Sequence, residues 1–188
     1  MRLWRSCCVA LALVAAQGHA ADDVLVQAER EGEMVAVRAR ASIRAPAPLV
    51  WQVLTEYERL PQFVPGIRRS VVRSRQGNRL LVEQSGEARF LIFSFPIEVT
   101  LEVLESPPDW ITSRGVGGNV RRMTGRYEIH PEPARGWIVL RYFGAIEPDF
   151  DLPPLIGVAA LRGTIEEQFL AMVAEIERRA AARGSGAP

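Results

Sequence analysis

Apart from Met34 and Ala36, apolar and polar positions alternate along residues 34–43, MVAVRARASI. Val35, Val37, Ala39, Ala41 and Ile43 share one parity, and Arg38, Arg40 and Ser42 share the other. This is the two-residue period of a half-buried strand. The preceding DVLVQAER, joined through Glu31-Gly32, is expected to pair with it as a hairpin. Pro46 and Pro48 then open APLVWQVLTEY, where Leu49, Val50, Val53, Leu54 and Tyr57 recur at helical spacing. That helix must stop before Pro61. The stretch that follows, YERLPQFVPGI (57–67), is too proline-rich for an ordinary helix and too apolar for an ordinary exposed loop.

From Gly66 the two-residue period returns for about 80 residues. IRRSVVRSR and RLLVEQSGEARF flank a QGN turn, and LIFSFPIEVTLEVL places Leu91, Phe93, Phe95, Ile97, Val99, Leu101 and Val103 on one face. WITSRGV, VRRMTGRYEI and WIVLRYFGAI complete six strands. After EPDFDLPP, residues Val158, Leu161, Ile165, Phe169, Met172 and Ile176 step by three or four. They give one apolar stripe on a long helix from Leu155 to about Ala181. The C-terminal AARGSGAP is expected to fray. An antiparallel sheet with one face to bury and one long amphipathic helix to cover it make an α+β domain.

At the other end, Arg2 and Arg5 precede the apolar run Val9–Ala16, and Gly18 and Ala20 lie where a signal peptidase reads small residues. The run is well short of the roughly 20 residues that span a bilayer. We therefore expect 1–20 to be a signal peptide, the mature protein to begin at Ala21, and the location to be periplasmic or secreted. Both cysteines, Cys7 and Cys8, fall in the removed segment, so the mature chain has neither a disulfide nor a thiol nucleophile. Without 1–20 the chain holds 21 basic and 22 acidic residues, a net charge of −1 that gives no reason to expect nucleic-acid binding. All 23 basic residues are arginine, which excludes Schiff-base catalysis by lysine. The remaining 168 residues suit one domain, 21–182, with 183–188 as a disordered tail.

Catalytic machinery is sparse. Mature histidine is reduced to His130, with no histidine or cysteine companion for a metal or a triad. Glu83, Glu98, Glu102 and Glu128 alternate with apolar neighbours and read as the wet face of the sheet. Asp151 reads as a cap in the loop before the last helix, and Arg69, Arg73, Arg75 and Arg79 as a solvated stripe on the first hairpin. GVGGN leads into an alternating strand rather than a helix, so it reads as a turn and not a phosphate loop. No metal and no cofactor are expected.

The order of elements, together with APLVWQVLTEYERLPQFVPGI, GGNVRRMTGRYEI and IEPDFDLPPLIG, resembles the coenzyme Q-binding/polyketide cyclase branch of the START-like helix-grip superfamily over roughly residues 34–180. The resemblance implies a curved antiparallel sheet of about seven strands wrapped around the C-terminal helix, with two short helices after the first strand. An elongated apolar cavity would lie between sheet and helix. Residues 57–67 would then roof one end of it, with Phe63 and Tyr57 turned inward, or else plug a filled core. The expected ligand-binding residues are Tyr57, Phe63, Phe93, Arg121, Met123, Tyr127, Tyr142 and Phe169. The expected function is an exported, monomeric binding protein for a lipid, quinone or polyketide-like molecule, with transient membrane contact. The alternative is a cyclase or dehydratase using Tyr57, Tyr127, Tyr142 or Arg121 as proton donors.

Parity in the last two strands offers a further expectation. If Ile129 lies opposite Ile138, then Tyr127 faces Leu140, Gly125 faces Tyr142 and Met123 faces Gly144, all on the inward side. Gly125 and Gly144 then either leave room for a ligand or mark a bulge or an aromatic ring lying over them. The same parity turns Arg121 inward, where it reaches solvent at the mouth, meets an acidic partner or contacts a ligand head.

Overall fold

The computed structural model describes residues 24–90, 93–148 and 154–185, with side chains described outside 88–93 and 148–156. The expected signal peptide, Asp149 and Asp151 lie outside this range, as does the side chain of Phe93. Eight strands, all antiparallel, form one curved sheet in the order β1-β2-β8-β7-β6-β5-β4-β3. They are β1 (Leu25–Glu31), β2 (Met34–Ile43), β3 (Ile67–Gln76), β4 (Arg79–Phe90), β5 (Phe93–Ser106), β6 (Trp110–Gly118), β7 (Val120–Glu132) and β8 (Trp137–Pro148). Helix α1 (Ala47–Thr55) and a 3-10 turn (Tyr57–Gln62) follow β2, and α2 (Pro154–Gly184) closes the chain. This is the helix-grip architecture, with one strand more than the seven expected because the DVLVQAER hairpin is real. It closes through Gly32-Glu33, Gly32 taking the left-handed φ of +64° that such a tight turn requires.

Local sequence explains each junction. Pro46 caps α1 with φ −64°, and Leu49, Val50, Val53 and Leu54 are its buried face. Pro61 cannot continue an α-helix, so the chain tightens instead, and the Phe63 and Val64 amides both donate to the Leu60 carbonyl at 3.1 and 2.8 Å. Ten residues of β2 carry the alternating pattern, with all five apolar odd positions buried. The core lies between this face and α2, around Ile43, Leu49, Val82, Leu140, Phe169 and Ile176. Helix α2 runs 31 residues, roughly 46 Å, and continues through Arg183 to Gly184, so the expected tail at 183 begins inside the helix. Among the described residues no helix is long and apolar enough to cross a membrane.

The β7–β8 register differs from the expected one by two residues. Ile129 pairs with Leu140, Tyr127 with Tyr142, Gly125 with Gly144 and Met123 with Ile146. The reason is the turn. Strand β7 runs three residues further than expected, until Glu132 faces Trp137, where β8 begins as expected, and only four residues, Pro133 to Gly136, turn the chain. A slip of two preserves parity, so the inward set is unchanged. Arg121 is the exception, because an irregularity between Val120 and Arg122 breaks the alternation there. Its side chain is 60% exposed and lies 3.9 Å from the Glu147 carboxylate. It meets an acid at the surface and does not face the interior.

Candidate functional site

Two cavities of about 140 Å³ each lie between the sheet and α2. Ile67, Gln84, Met123 and Gln168 border both, so they form two lobes of one elongated chamber. The inner lobe is walled by Tyr57, Leu60, Leu101, Ile111, Tyr127 and Tyr142. The outer lobe lies between Gly66-Ile67, Ser85-Gly86, Val120, Ile146 and the Leu161–Ile165 turn of α2. Both linings are mainly apolar, as a site for a hydrophobic small molecule requires.

Gly125 and Gly144 explain how the tyrosines fit. They lie directly opposite each other on β7 and β8. A Cβ on Gly144 would stand 2.5 Å from Tyr142 Oη and 2.8 Å from its Cζ, and one on Gly125 would stand 3.5 Å from the same ring. Tyr142 therefore lies flat along the sheet in the space the two glycines leave, and Tyr127 stacks obliquely on it with ring centroids 4.8 Å apart. Of the roles open to this glycine pair, the aromatic cover is the one found. The chamber begins on the far side of the tyrosine rings.

Tyr127 and Tyr142 give the inner lobe its chemistry. Neither hydroxyl has a hydrogen-bond partner among the described residues. Burial pushes the Tyr127 phenol far above its ordinary pKa, with Tyr142 adding to the effect, and pushes Tyr142 up to about 12. Both are therefore neutral donors at any ordinary pH and not bases. Ser113 adds a third hydroxyl on the same wall. Opposite stand Gln84 and Gln168, whose amide nitrogens donate to Ser70 Oγ and to the Pro65 carbonyl, each at 3.2 Å. Tyr57 is different: its hydroxyl donates to Glu105 Oε1 at 3.0 Å, and burial first, then the Glu105 charge, raises its pKa. Glu105 is itself buried and held by Arg75 at 3.0 Å. Tyr57 and Glu105 are buried at this end of the lobe, and the half-exposed Arg75 joins them to the surface.

The structure thus brings Tyr57, Met123, Tyr127 and Tyr142 together around one chamber and leaves three expected residues elsewhere. Phe63 packs against the core under the Arg179 guanidinium, 5.7 Å from its ring centroid, and borders neither lobe. Phe169 is 1% exposed and fills the core beside the chamber. Arg121 is at the surface. Gln84 and Gln168 were missed, though both had a signal. Gln84 continues the inward parity of Leu80 and Val82, and Gln168 falls on the apolar stripe of α2. A polar residue at a core position is informative because an unsatisfied amide is costly there.

Arg179 ties the roof to α2. Its Nη1 donates to Glu56 at 2.7 Å and its Nε to Glu175 at 2.7 Å. Burial works against ionisation of Glu56, but the Arg179 and Gln52 hydrogen bonds outweigh it and hold the carboxyl below its usual range. His130 lies outside the chamber on the wet face, 2.9 Å from Glu128. Among the described residues no group of three or more metal-ligating side chains converges.

The family model for polyketide cyclase/dehydrase and lipid transport matches residues 43–173, and the chain belongs to that family. No curated protein matches the sequence. Among solved structures, the Zhui aromatase/cyclase from a Streptomyces species superposes with a TM-score of 0.67 at 17% identity, covering 82% of this chain and 99% of its own. A STAR-related lipid transfer protein from Xanthomonas axonopodis gives 0.64 at 13% identity, over 81% and 93%. A START superfamily protein from Mycobacterium smegmatis gives 0.61 at 17%, over 79% and 98%. At these identities the likeness establishes the fold.

Proposed function

We propose that the protein is an exported carrier that holds an uncharged hydrophobic molecule, of lipid, quinone or polyketide-like kind, in the two-lobed chamber. The observation that carries this reading is the inner lobe. It has an apolar wall with unpaired neutral hydroxyls, and none of its lining side chains is a carboxylate, an arginine or a histidine. A charged head buried there would lack a counter-charge, whereas a carbonyl or hydroxyl oxygen would accept from Tyr127 or Tyr142. Export rests on the N-terminal pattern of residues 1–20, and sequencing the N-terminus of the protein from fractionated cells tests it. A chain starting at Ala21 in the soluble exported fraction is expected, and an intact Met1 in the membrane pellet would refute it.

Native mass spectrometry of protein purified from its own compartment, with organic extraction of the bound material, tests the carrier reading. A neutral lipophilic molecule is expected, and its loss on Leu101→Trp would place it in the inner lobe. The two unpaired phenols favour one second reading, a cyclase or dehydratase in which Tyr127 or Tyr142 donates a proton. Conversion of the extracted molecule by the wild type and not by Tyr127→Phe would establish that reading over the carrier.

A further inference from the structure

The outer face of the sheet, turned away from α2, carries an arrangement that the chamber does not use. The strand registers place side chains there in two adjacent rows. One reads Leu25, Arg40, Arg141, Glu128 across β1, β2, β8 and β7, and the next reads Gln27, Arg38, Phe143, Arg126. Leu25 is 55% exposed and Phe143 37%, two of the four most exposed large apolar side chains among the described residues. Four arginines surround them.

The charges in these rows are not balanced. Arg40 and Arg141 are directly opposite on neighbouring strands, a like-charge pair that destabilises a sheet. Neither has an ion pair among the described residues. Glu128, the lateral neighbour of Arg141, is already committed: Oε1 accepts from Arg126 at 2.6 Å, and Oε2 lies 2.9 Å from His130 Nε2. Arg38 has only loose contacts with Glu29 and Glu31, at 3.8 and 3.7 Å. Around the rim, Arg126 lies over Trp110 at 5.0 Å and Arg44 over Trp137 at 5.2 Å, amphipathic pairs at the border of the patch.

We propose that this outer face of β1, β2, β8 and β7 docks onto an anionic lipid bilayer, with Arg40 and Arg141 against lipid phosphates and Phe143 and Leu25 entering the headgroup region. A bilayer fits better than an acidic protein because the exposed apolar side chains are isolated and interleaved with cations. A protein interface gathers its apolar residues into a continuous buried centre with a polar rim, whereas the headgroup layer takes apolar side chains and arginines in one plane. The chamber lies on the opposite side of the sheet, so docking by this face leaves α2 and the roof turned to the water.

Sedimentation with vesicles tests this, using the protein as the cell processes it. Binding to phosphatidylcholine vesicles containing phosphatidylglycerol is expected, and it should weaken as salt rises. Arg40→Gln with Arg141→Gln should reduce the partition by roughly thirty-fold, the effect of two arginines at an anionic surface. Phe143→Ser should reduce it several-fold without changing its salt dependence. All three positions are exposed, so an unchanged melting temperature would certify the variants as folded. Equal binding to pure phosphatidylcholine, or equal binding by the double variant, would overturn the proposal. So would retention on an immobilised polyglutamate matrix, lost in the double variant, without any sedimentation on vesicles.

Discussion

The two halves of α2 carry the same apolar stripe and meet different surroundings. Towards the C-terminus, Phe169, Met172, Val173 and Ile176 are all at most 5% exposed, and Arg179 anchors that end to Glu56 of the roof. Towards the N-terminus, Val158 and Leu161 are only half-buried, and the Leu161–Ile165 turn borders the outer lobe. The helix does not make this difference. The filled half belongs to the core cluster that also holds Ile43, Leu49 and Val53, whereas the open half borders Gly66, Gly86 and Gln84. At the outer lobe the space is left by small residues opposite the helix, which covers both regions.

The strongest test of that contrast is a pair of truncations. Phe169→Ala should cost about 3 to 5 kcal/mol in urea denaturation, because the packed half cannot collapse around the hole. Leu161→Ala should cost about 1 kcal/mol or less, since its side chain already borders a void. Equal losses would erase the distinction. Next in size is Gly144→Leu, at about 1 to 3 kcal/mol, because the new side chain must displace the buried Tyr142 ring. The cost should shrink in a Tyr142→Ala background. An undiminished cost would locate the strain in the backbone and not under the ring.

A filling substitution acts the other way. Thr164→Phe, at the border of the outer lobe, should leave stability within about 0.5 kcal/mol while reducing uptake of an apolar fluorescent dye several-fold. Unchanged uptake would mean that the dye enters elsewhere. The smallest effect is confined to acid. The Arg178 hydrogen bond, with Arg179 assisting against burial, lowers the Glu175 carboxyl from 4.5 to about 2. A depressed folded pKa stabilises fully above the unfolded value and is lost as pH falls through the folded one. Stability should therefore decline between about pH 4.5 and pH 2, and Glu175→Gln should flatten that part of the curve.

Periodicity carried most of the fold because each strand had one wet face and one dry one, as β2 shows, and because α2 kept a single stripe over five turns. What it did not carry was anything set by a turn or a bulge. The β7–β8 register was displaced because HPEPARG reads as one long loop, while its first three residues actually extend β7. Arg121 was misplaced because one extra residue at Val120–Arg122 reverses parity without changing composition. The site was legible where aromatic residues shared the inward parity of apolar ones, as Tyr127 and Tyr142 do. Phe63 and Phe169 look the same in sequence, and only the packing around them decides that they fill rather than line.

The outer lobe is bordered where two glycines cross. A Cβ on Gly86 would fall on the Gly66 carbonyl oxygen, which instead accepts the Glu87 amide at 2.8 Å, and Gly66 itself has φ +79°. Main chain rests directly on main chain at this point, with no side chain between them. This part of the border is thus fixed by backbone geometry, while the rest of the lining is built from side chains. Substitutions at Leu101, Met123 or Ile146 would therefore reshape the chamber without disturbing this backbone contact.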